Sequence, residues 1–124
     1  MEMGTVAGNL LVEDSFSFAV RIIELGADLE QNRKVHVIVP QLVKSGTSIG
    51  ANIREANYAA SRADFINKFQ IALKECYETD YWLALFHAVG VMQEEVYQEL
   101  NTRCSKIRRM LISSINTAKE EKLK

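Results

Sequence analysis

The side chains best suited to metal chemistry are two histidines and two cysteines, and their spacing argues against a metal site. His36 and His87 lie far apart in the chain, as do Cys76 and Cys104. A di-iron centre in a helical bundle needs a Glu-x-x-His motif on two helices, but an arginine and an alanine stand three positions before the histidines. Zinc sites usually take closely spaced pairs of these residue types. We therefore predict no metal and no cofactor.

The acidic and hydroxyl side chains also form no recognisable catalytic group. The SGTSIG segment has the glycines of a phosphate-binding loop, but it lacks the Gly-Lys-Thr or Gly-Lys-Ser sequence and a preceding strand. Arg54 and Glu55, together with Glu75 and Glu78, are better interpreted as members of ion pairs between helices. We predict that the protein is not an enzyme.

One basic cluster could bind a ligand. Four bases fall within seven residues near the end of the chain, and they are Arg103, Lys106, Arg108 and Arg109. Such side chains contact nucleic-acid phosphates. The alternative is a solvated face that interacts favourably with the helix dipole. The net charge is -1 and the first 32 residues carry six acids and one base, which is not the profile of a strongly basic nucleic-acid binder.

The elements that position these residues are predicted to be four helices, because apolar residues recur with helical spacing and no segment alternates with period two. We place the helices at 14–31, 38–59, 62–88 and 92–118. Asp14 or Ser15 would cap the first, Pro40 suits the first turn of the second, and Ser61 with Asp64 resembles a capping box. The predicted fold is all-α, an antiparallel up-down four-helix bundle formed by a single domain, 1–124. The residues predicted to be buried include Ile49, Ile53, Phe65, Phe69, Leu83, Leu100, Ile107 and Leu111.

The first predicted helix carries more apolar surface than one bundle face requires. One stripe consists of Phe16, Val20, Ile23 and Ala27, and a nearly opposite stripe of Phe18, Ile22, Leu25 and Leu29. Either the helix is wedged between two neighbours, or one stripe faces the core and the other another subunit. The third helix likewise directs Ile71, Trp82 and Phe86 away from its core side. The residues we assign to an oligomer interface are Phe18, Ile22, Leu25, Leu29, Ile71 and Trp82.

Small residues in the second helix predict a close helix contact. Gly46 and Gly50 share one helix face with Val39 and Val43, so another backbone can approach them closely.

The chain has no apolar stretch of about 18 residues and no signal-peptide pattern. Its two cysteines are predicted to be buried free thiols. We expect a cytoplasmic protein without a membrane partner.

Two segments, SGTSIGANIREA and SRADFINKFQIALKECYETDYWLAL, resemble the bacterial 23S ribosomal RNA intervening-sequence proteins. That family shows Ser-Ile-x-x-Asn-Ile-x-Glu, then a Ser with an acidic-Phe pair, then a Glu-rich helix ending in aromatic and leucine residues. The matching residues are Ser48, Ile49, Asn52, Ile53, Glu55, Ser61, Asp64, Phe65, Glu75, Glu78, Trp82 and Leu83. The chain departs from the commoner Ser-Ile-Pro form, because Gly50 stands in place of the proline.

The resemblance implies a four-helix bundle that forms a ring-shaped homopentamer and brings no catalytic residues with it. Some members are encoded in insertions within large-subunit ribosomal RNA genes. A related branch, the accessory proteins of diversity-generating retroelements, binds nucleic acid and a reverse transcriptase through a basic pentamer. Two hypotheses follow. The protein is a non-enzymatic oligomeric module that engages RNA or a ribonucleoprotein, or it is a structural or protein-interaction scaffold without nucleic acid.

Overall fold

Four helices build the molecule, and all of them were expected from the sequence. The computed structural model of the chain describes residues 6–123, with side chains described from residue 10 to residue 121. The helices are α1 (Val6–Leu29), α2 (Val39–Ala56), α3 (Arg62–Ala88) and α4 (Glu94–Leu123). No strand occurs within residues 6–123. The prediction of an all-α fold is confirmed.

The helices form a closed bundle in which each helix runs antiparallel to its neighbours. Consecutive helices pack against each other, and α1 also packs against α4. In each of the four contacts, residues early in one helix meet residues late in the other. The cross-helix pairs that establish these directions are Ile22–Gly46, Ser15–Gly50, Ser45–Thr79, Glu55–Lys68, Arg62–Glu121, Asp80–Arg108, Arg21–Glu99 and Asp14–Lys106. The up-down topology is therefore also confirmed.

The helix boundaries test the local predictions. Ser61 caps α3 as predicted: its Oγ accepts a hydrogen bond from the Asp64 backbone N–H at 3.1 Å. Asp64 reaches back and accepts from the N–H of Ala60 at 3.2 Å, which satisfies a second donor ahead of the helix. Pro40 lies in the first turn of α2. At the other end of α3, Gly90 adopts φ 81°, a conformation that glycine tolerates best.

The predicted start of α1 at Asp14 or Ser15 is wrong. The helix begins at Val6, so both residues lie in its interior. Ser15 does not cap a helix but donates its hydroxyl to the carbonyl of Val12 at 3.3 Å. The reason is that Leu11, which is fully buried, continues the buried side of the helix toward the N-terminus. Among the other bounds, the largest differences are that α2 ends before 59 and α4 continues beyond 118.

The core contains every residue predicted for it. The eight named positions on α2, α3 and α4 are at most 8% exposed. The structure also decides between the two stripes of α1. Phe18, Ile22, Leu25 and Leu29, which together we call the inward stripe, are at most 7% exposed within a single chain.

The assignment of the inward stripe to a subunit interface was therefore wrong, because these side chains are already buried within a single chain. The opposite residues Phe16, Val20 and Ile23, here called the outward stripe, are 58%, 43% and 52% exposed. Phe86 was also misplaced, since it is fully buried rather than directed outward.

Close contact between α1 and α2 depends on glycine, as the small-residue pattern predicted. A Cβ atom added at Gly46 would lie 2.8 Å from Cγ2 of Ile22. One added at Gly50 would lie 3.3 Å from the carbonyl oxygen of Ser15. The missing side chains let α2 pack directly against the backbone and the inward stripe of α1.

The two cysteines face each other inside the contact between α3 and α4. Both thiols are free and fully buried, as predicted, and Cys104 Sγ donates to the carbonyl of Cys76 at 3.6 Å. Interaction with the Cys76 side chain, followed by burial, raises the pKa of Cys104 far above its usual range. The thiolate is therefore suppressed, and the pair contributes to packing.

Candidate interaction surfaces

The predicted basic cluster on α4 does not converge on one surface. Arg103 donates to Glu99 at 3.0 Å and to the hydroxyl of Ser17 on α1. Lys106 Nζ lies 3.3 Å from Oδ2 of Asp14, also on α1. Arg108 points the other way, toward α3. Helical spacing thus distributes the four bases over two sides of α4. This arrangement agrees better with the alternative interpretation, a solvated helix face, than with one ligand surface.

Arg108 lies at the edge that α4 shares with α3, and Arg109 is the next residue along α4. Arg108 forms an ion pair with Asp80, and both side chains are only about one-quarter exposed. Its guanidinium also lies 5.6 Å from the ring centroid of Tyr77. Arg109 is exposed and has no ion-pair partner within the described side chains. Of the four bases, Arg109 is therefore the one most available to a ligand.

An ion-pair network fixes the contact between α1 and α4. Arg21 donates twice to the carboxylate of Glu99, at 2.9 and 3.1 Å, and Arg103 donates to the same group. The hydrogen bond from Arg21 is the main reason that the pKa of Glu99 is lowered, and the same bond raises the pKa of Arg21. Two guanidinium groups on one carboxylate make a structural clamp rather than a binding site.

Sequence reasoning missed an aromatic surface beside Arg108. Tyr77 and Tyr81 are 54% and 59% exposed, and their separation by four residues places them on the same side of α3. Tyr81 also packs edge to face against Trp82, with ring centroids 5.1 Å apart. We call Tyr77, Tyr81 and Arg108 the tyrosine surface. The available sequence signal was the spacing of the tyrosines opposite the core residues of α3.

An apolar groove runs along the outer side of α1 and α2. Its volume is about 240 Å³, and its walls include Phe16 and Ile23 from the outward stripe. The α2 wall is made of small residues, Gly50 and Ala51, and of Arg54. The Arg54 guanidinium lies 5.6 Å from the ring centroid of Phe16. A single chain thus leaves an apolar depression open, with a cation at its rim.

Six of the family-motif residues have structural roles. Ile49, Ile53, Phe65 and Leu83 are in the core, while Ser61 and Asp64 cap α3. The other six are Ser48, Asn52, Glu55, Glu75, Glu78 and Trp82, and a hydrogen bond from Ser48 to Glu75 places these two at the boundary between α2 and α3. Glu55 pairs with Lys68 across it at 3.0 Å. Deeper in the same contact, Thr79 donates to Ser45 at 3.0 Å.

Glu75 and Glu78 do not form the predicted ion pairs with Arg54. Arg54 lies over Phe16, and among the described residues no ion pair joins it to Glu75 or Glu78. Burial, and then the nearby Glu78, raise the pKa of Glu75, and a hydrogen bond from Ser48 opposes this effect. Glu78 instead accepts a hydrogen bond from the Trp82 indole at 3.3 Å.

Among the described residues, no cluster of three or more His, Cys, Asp and Glu side chains is suited to a metal ion. His87 stacks on Tyr97 with ring centroids 4.1 Å apart, and its Nε2 lies 2.8 Å from Glu94.

Of the helices within residues 6–123, none is long and apolar enough to cross a membrane. The prominent surfaces are therefore the outward stripe with its groove, the tyrosine surface and the boundary between α2 and α3.

Four antiparallel helices packed around one apolar core define a helical-bundle protein. The chain belongs to the 23S rRNA-intervening sequence protein family, whose model matches residues 9–113. It is similar to a solved structure from Bacteroides thetaiotaomicron, described as a protein with unknown function from the S23 ribosomal protein family. The two share 47% identity with a TM-score of 0.86, over 90% of this chain and 99% of that one. None of the curated proteins compared with this chain matches it.

Proposed function

We propose that the protein is a non-enzymatic binding module that works as a homo-oligomer. The observation that carries this proposal is the outward stripe of α1. Phe16, Val20 and Ile23 are each more than 40% exposed and lie on the side of the helix opposite the core. Burying such side chains removes apolar surface from water at roughly 25 cal/mol per Å². A contiguous exposed apolar patch of this kind is typical of a protein contact.

Two further features favour a second copy of the chain as the partner. Ile71 on α3 is 38% exposed and Trp82 is partly exposed, so a second apolar surface is available on the same molecule. Two different patches on one chain suit the heterologous contacts of a ring. The family resemblance adds a preference for five subunits.

The experiment is light scattering of the purified chain at micromolar concentration, with a variant that breaks the outward stripe. Phe16→Ser with Ile23→Ser should shift the mass from several chains toward one, because both side chains lose their apolar contacts. Val37→Ser is the matched control, since Val37 is 76% exposed but lies in the connection between α1 and α2. An unchanged mass in the double variant would contradict the proposal.

A second candidate function, contact with RNA, is favoured by the tyrosine surface. Exposed aromatic rings stack on unpaired bases, and guanidinium groups bind phosphates. Arg108 lies over the Tyr77 ring, and the exposed Arg109 is the next residue on α4. A ring-shaped oligomer would repeat these groups in every subunit, so modest contacts would add. Without RNA binding, the protein is the interaction scaffold that the outward stripe supports.

RNA binding is best tested by titrating single-stranded RNA in about 50 mM salt. Arg109→Gln should lower affinity and flatten the salt dependence, because fewer phosphate contacts release fewer counterions. Arg108→Gln is a poorer variant, since it would leave the carboxylate of Asp80 unpaired. Lys119→Gln, at an exposed position toward the end of α4, is the control. Absence of binding by the parent protein would leave the scaffold function.

A further inference from the structure

We propose that Cys76 and Cys104 form a reversible disulfide that locks α3 to α4 when the protein is exposed to a peroxide. This inference is independent of the proposed self-association. It rests on the position of the two cysteines of the chain, which meet inside one helix contact.

The two thiols are placed for a bond within one chain. Cys76 lies near the middle of α3, and Cys104 lies in the first half of α4. The Sγ atom of Cys104 lies 3.6 Å from the carbonyl oxygen of Cys76, and both side chains are fully buried. The interaction with the Cys76 side chain is also the largest cause of the raised pKa of Cys104. A disulfide therefore requires two facing sulfur atoms to approach each other to about 2.05 Å.

A carboxylate that can accept a thiol proton lies beside the pair. Asp80 follows Cys76 by one turn of α3, and it forms an ion pair with Arg108 of α4. Its Oδ1 atom is buried and has no hydrogen-bond partner in the described part of the chain. After the Cys76 side chain and burial, Asp80 adds to the rise in the pKa of Cys104. This oxygen atom is therefore available to take up the Cys104 proton when the thiol reacts.

The reaction balances with a peroxide as the oxidant. One cysteine, as its thiolate, attacks an oxygen of hydrogen peroxide, the O–O bond breaks, and a sulfenic acid and one water molecule form. The second thiol attacks the sulfenic sulfur, which forms the S–S bond and releases a second water molecule. The two sulfur atoms together lose two electrons to the peroxide oxygens, and the two thiol protons leave in the water.

Burial makes this pair slow to oxidise. The raised pKa of Cys104 suppresses its thiolate, and neither side chain is exposed, so attack requires a transient separation of α3 from α4. Once formed, the bond opposes that same separation. The closed loop runs from residue 76 to residue 104 and contains the turn at Gly90. Closing a loop of about 30 residues stabilises a fold by restricting the unfolded chain.

Treatment of the unmodified, folded chain with hydrogen peroxide tests the proposal. Micromolar protein is incubated without denaturant, then denatured and alkylated, and the remaining free thiols are counted by mass spectrometry. We expect no free thiol, a linked pair of peptides containing Cys76 and Cys104, and a melting temperature higher by roughly 10 °C. Dithiothreitol should restore both thiols and the original melting temperature.

Cys76→Ala and Cys104→Ala are the controls. Neither variant can form the bond, so peroxide should not raise the melting temperature of either one. Both variants also report any effect of peroxide on the methionines. Circular dichroism checks that they are folded, and the decision itself rests on the unmodified chain.

Four results would overturn the proposal. The thiols of the unmodified chain stay free after overnight treatment, or they are lost in a form that dithiothreitol does not restore, which indicates a sulfinic acid. A disulfide joins two chains instead of one, as a denaturing gel without reductant would show. The bond forms within one chain but lowers the melting temperature, which would mean that the contact between α3 and α4 does not accommodate it.

Discussion

Phe16 and Phe18 are two residues apart on α1, yet one is 58% exposed and the other is fully buried. Each belongs to an apolar stripe, and the two stripes have similar residue types. The inward stripe packs against Gly46 of α2 and the rest of the core. The outward stripe has no such neighbour among the described residues. The difference shows that apolar residue types alone do not determine which stripe of a helix is buried in one chain. The packing of the neighbouring helices determines it.

The largest expected effect on stability is the difference between substituting Phe18 and substituting Phe16. Phe18→Ala should lower the free energy of unfolding by about 3–5 kcal/mol, because it leaves a cavity in the core. Phe16→Ala should change the stability of the isolated chain by less than about 0.5 kcal/mol, as surface substitutions usually do, but it should weaken self-association. Chemical denaturation at low protein concentration measures both values. Equal losses would contradict the assignment of the stripes.

A smaller loss is expected where the inward stripe meets α2. Gly46→Val should destabilise the bundle by about 1–3 kcal/mol, since its Cβ would overlap Ile22 and force the helices apart. Gly90→Ala is a different case, because the strain there comes from its positive φ with open space around it. Thermal unfolding of Gly46→Val with and without Ile22→Ala distinguishes steric overlap, which the second change should relieve.

The ion pair between Arg21 of α1 and Glu99 of α4 predicts that the stability of the folded chain depends on pH. The pKa of Glu99 is lowered in the folded chain, so its contribution to stability is present above the unfolded pKa of about 4.3 and is lost as the pH falls through the folded pKa. Because Glu99 is 40% exposed, the contribution should be below about 1 kcal/mol. Glu99→Gln should therefore destabilise the chain at pH 7 and have little effect at the acidic end. A difference that persists at low pH would argue against an electrostatic origin.

The sequence predicted most of the fold and little of its surface organisation. Ser61 and Asp64 identified the start of α3 because a cap is a local interaction. The start of α1 was missed because Ser15, a good capping residue by type, lies inside a helix whose buried side continues to Leu11. Local pattern therefore located helices better than their ends.

The candidate surfaces were harder to predict because they depend on partners distant in sequence. Spacing showed that the bases of α4 cluster, but not that Lys106 meets Asp14 and Arg108 meets Asp80. The two stripes of α1 could not be ranked either, since the deciding contact is with Gly46 on another helix. Only the assembled bundle distinguishes a base that is already paired from one that remains available.

The most direct test of the account is the mass of the unmodified chain in solution. Sedimentation equilibrium or light scattering at micromolar concentration should give several times the 14.0 kDa of one chain. Phe16→Ser with Ile23→Ser should reduce that mass while the helical content remains. A mass of 14 kDa at every concentration would contradict the claim that the outward stripe is a subunit contact.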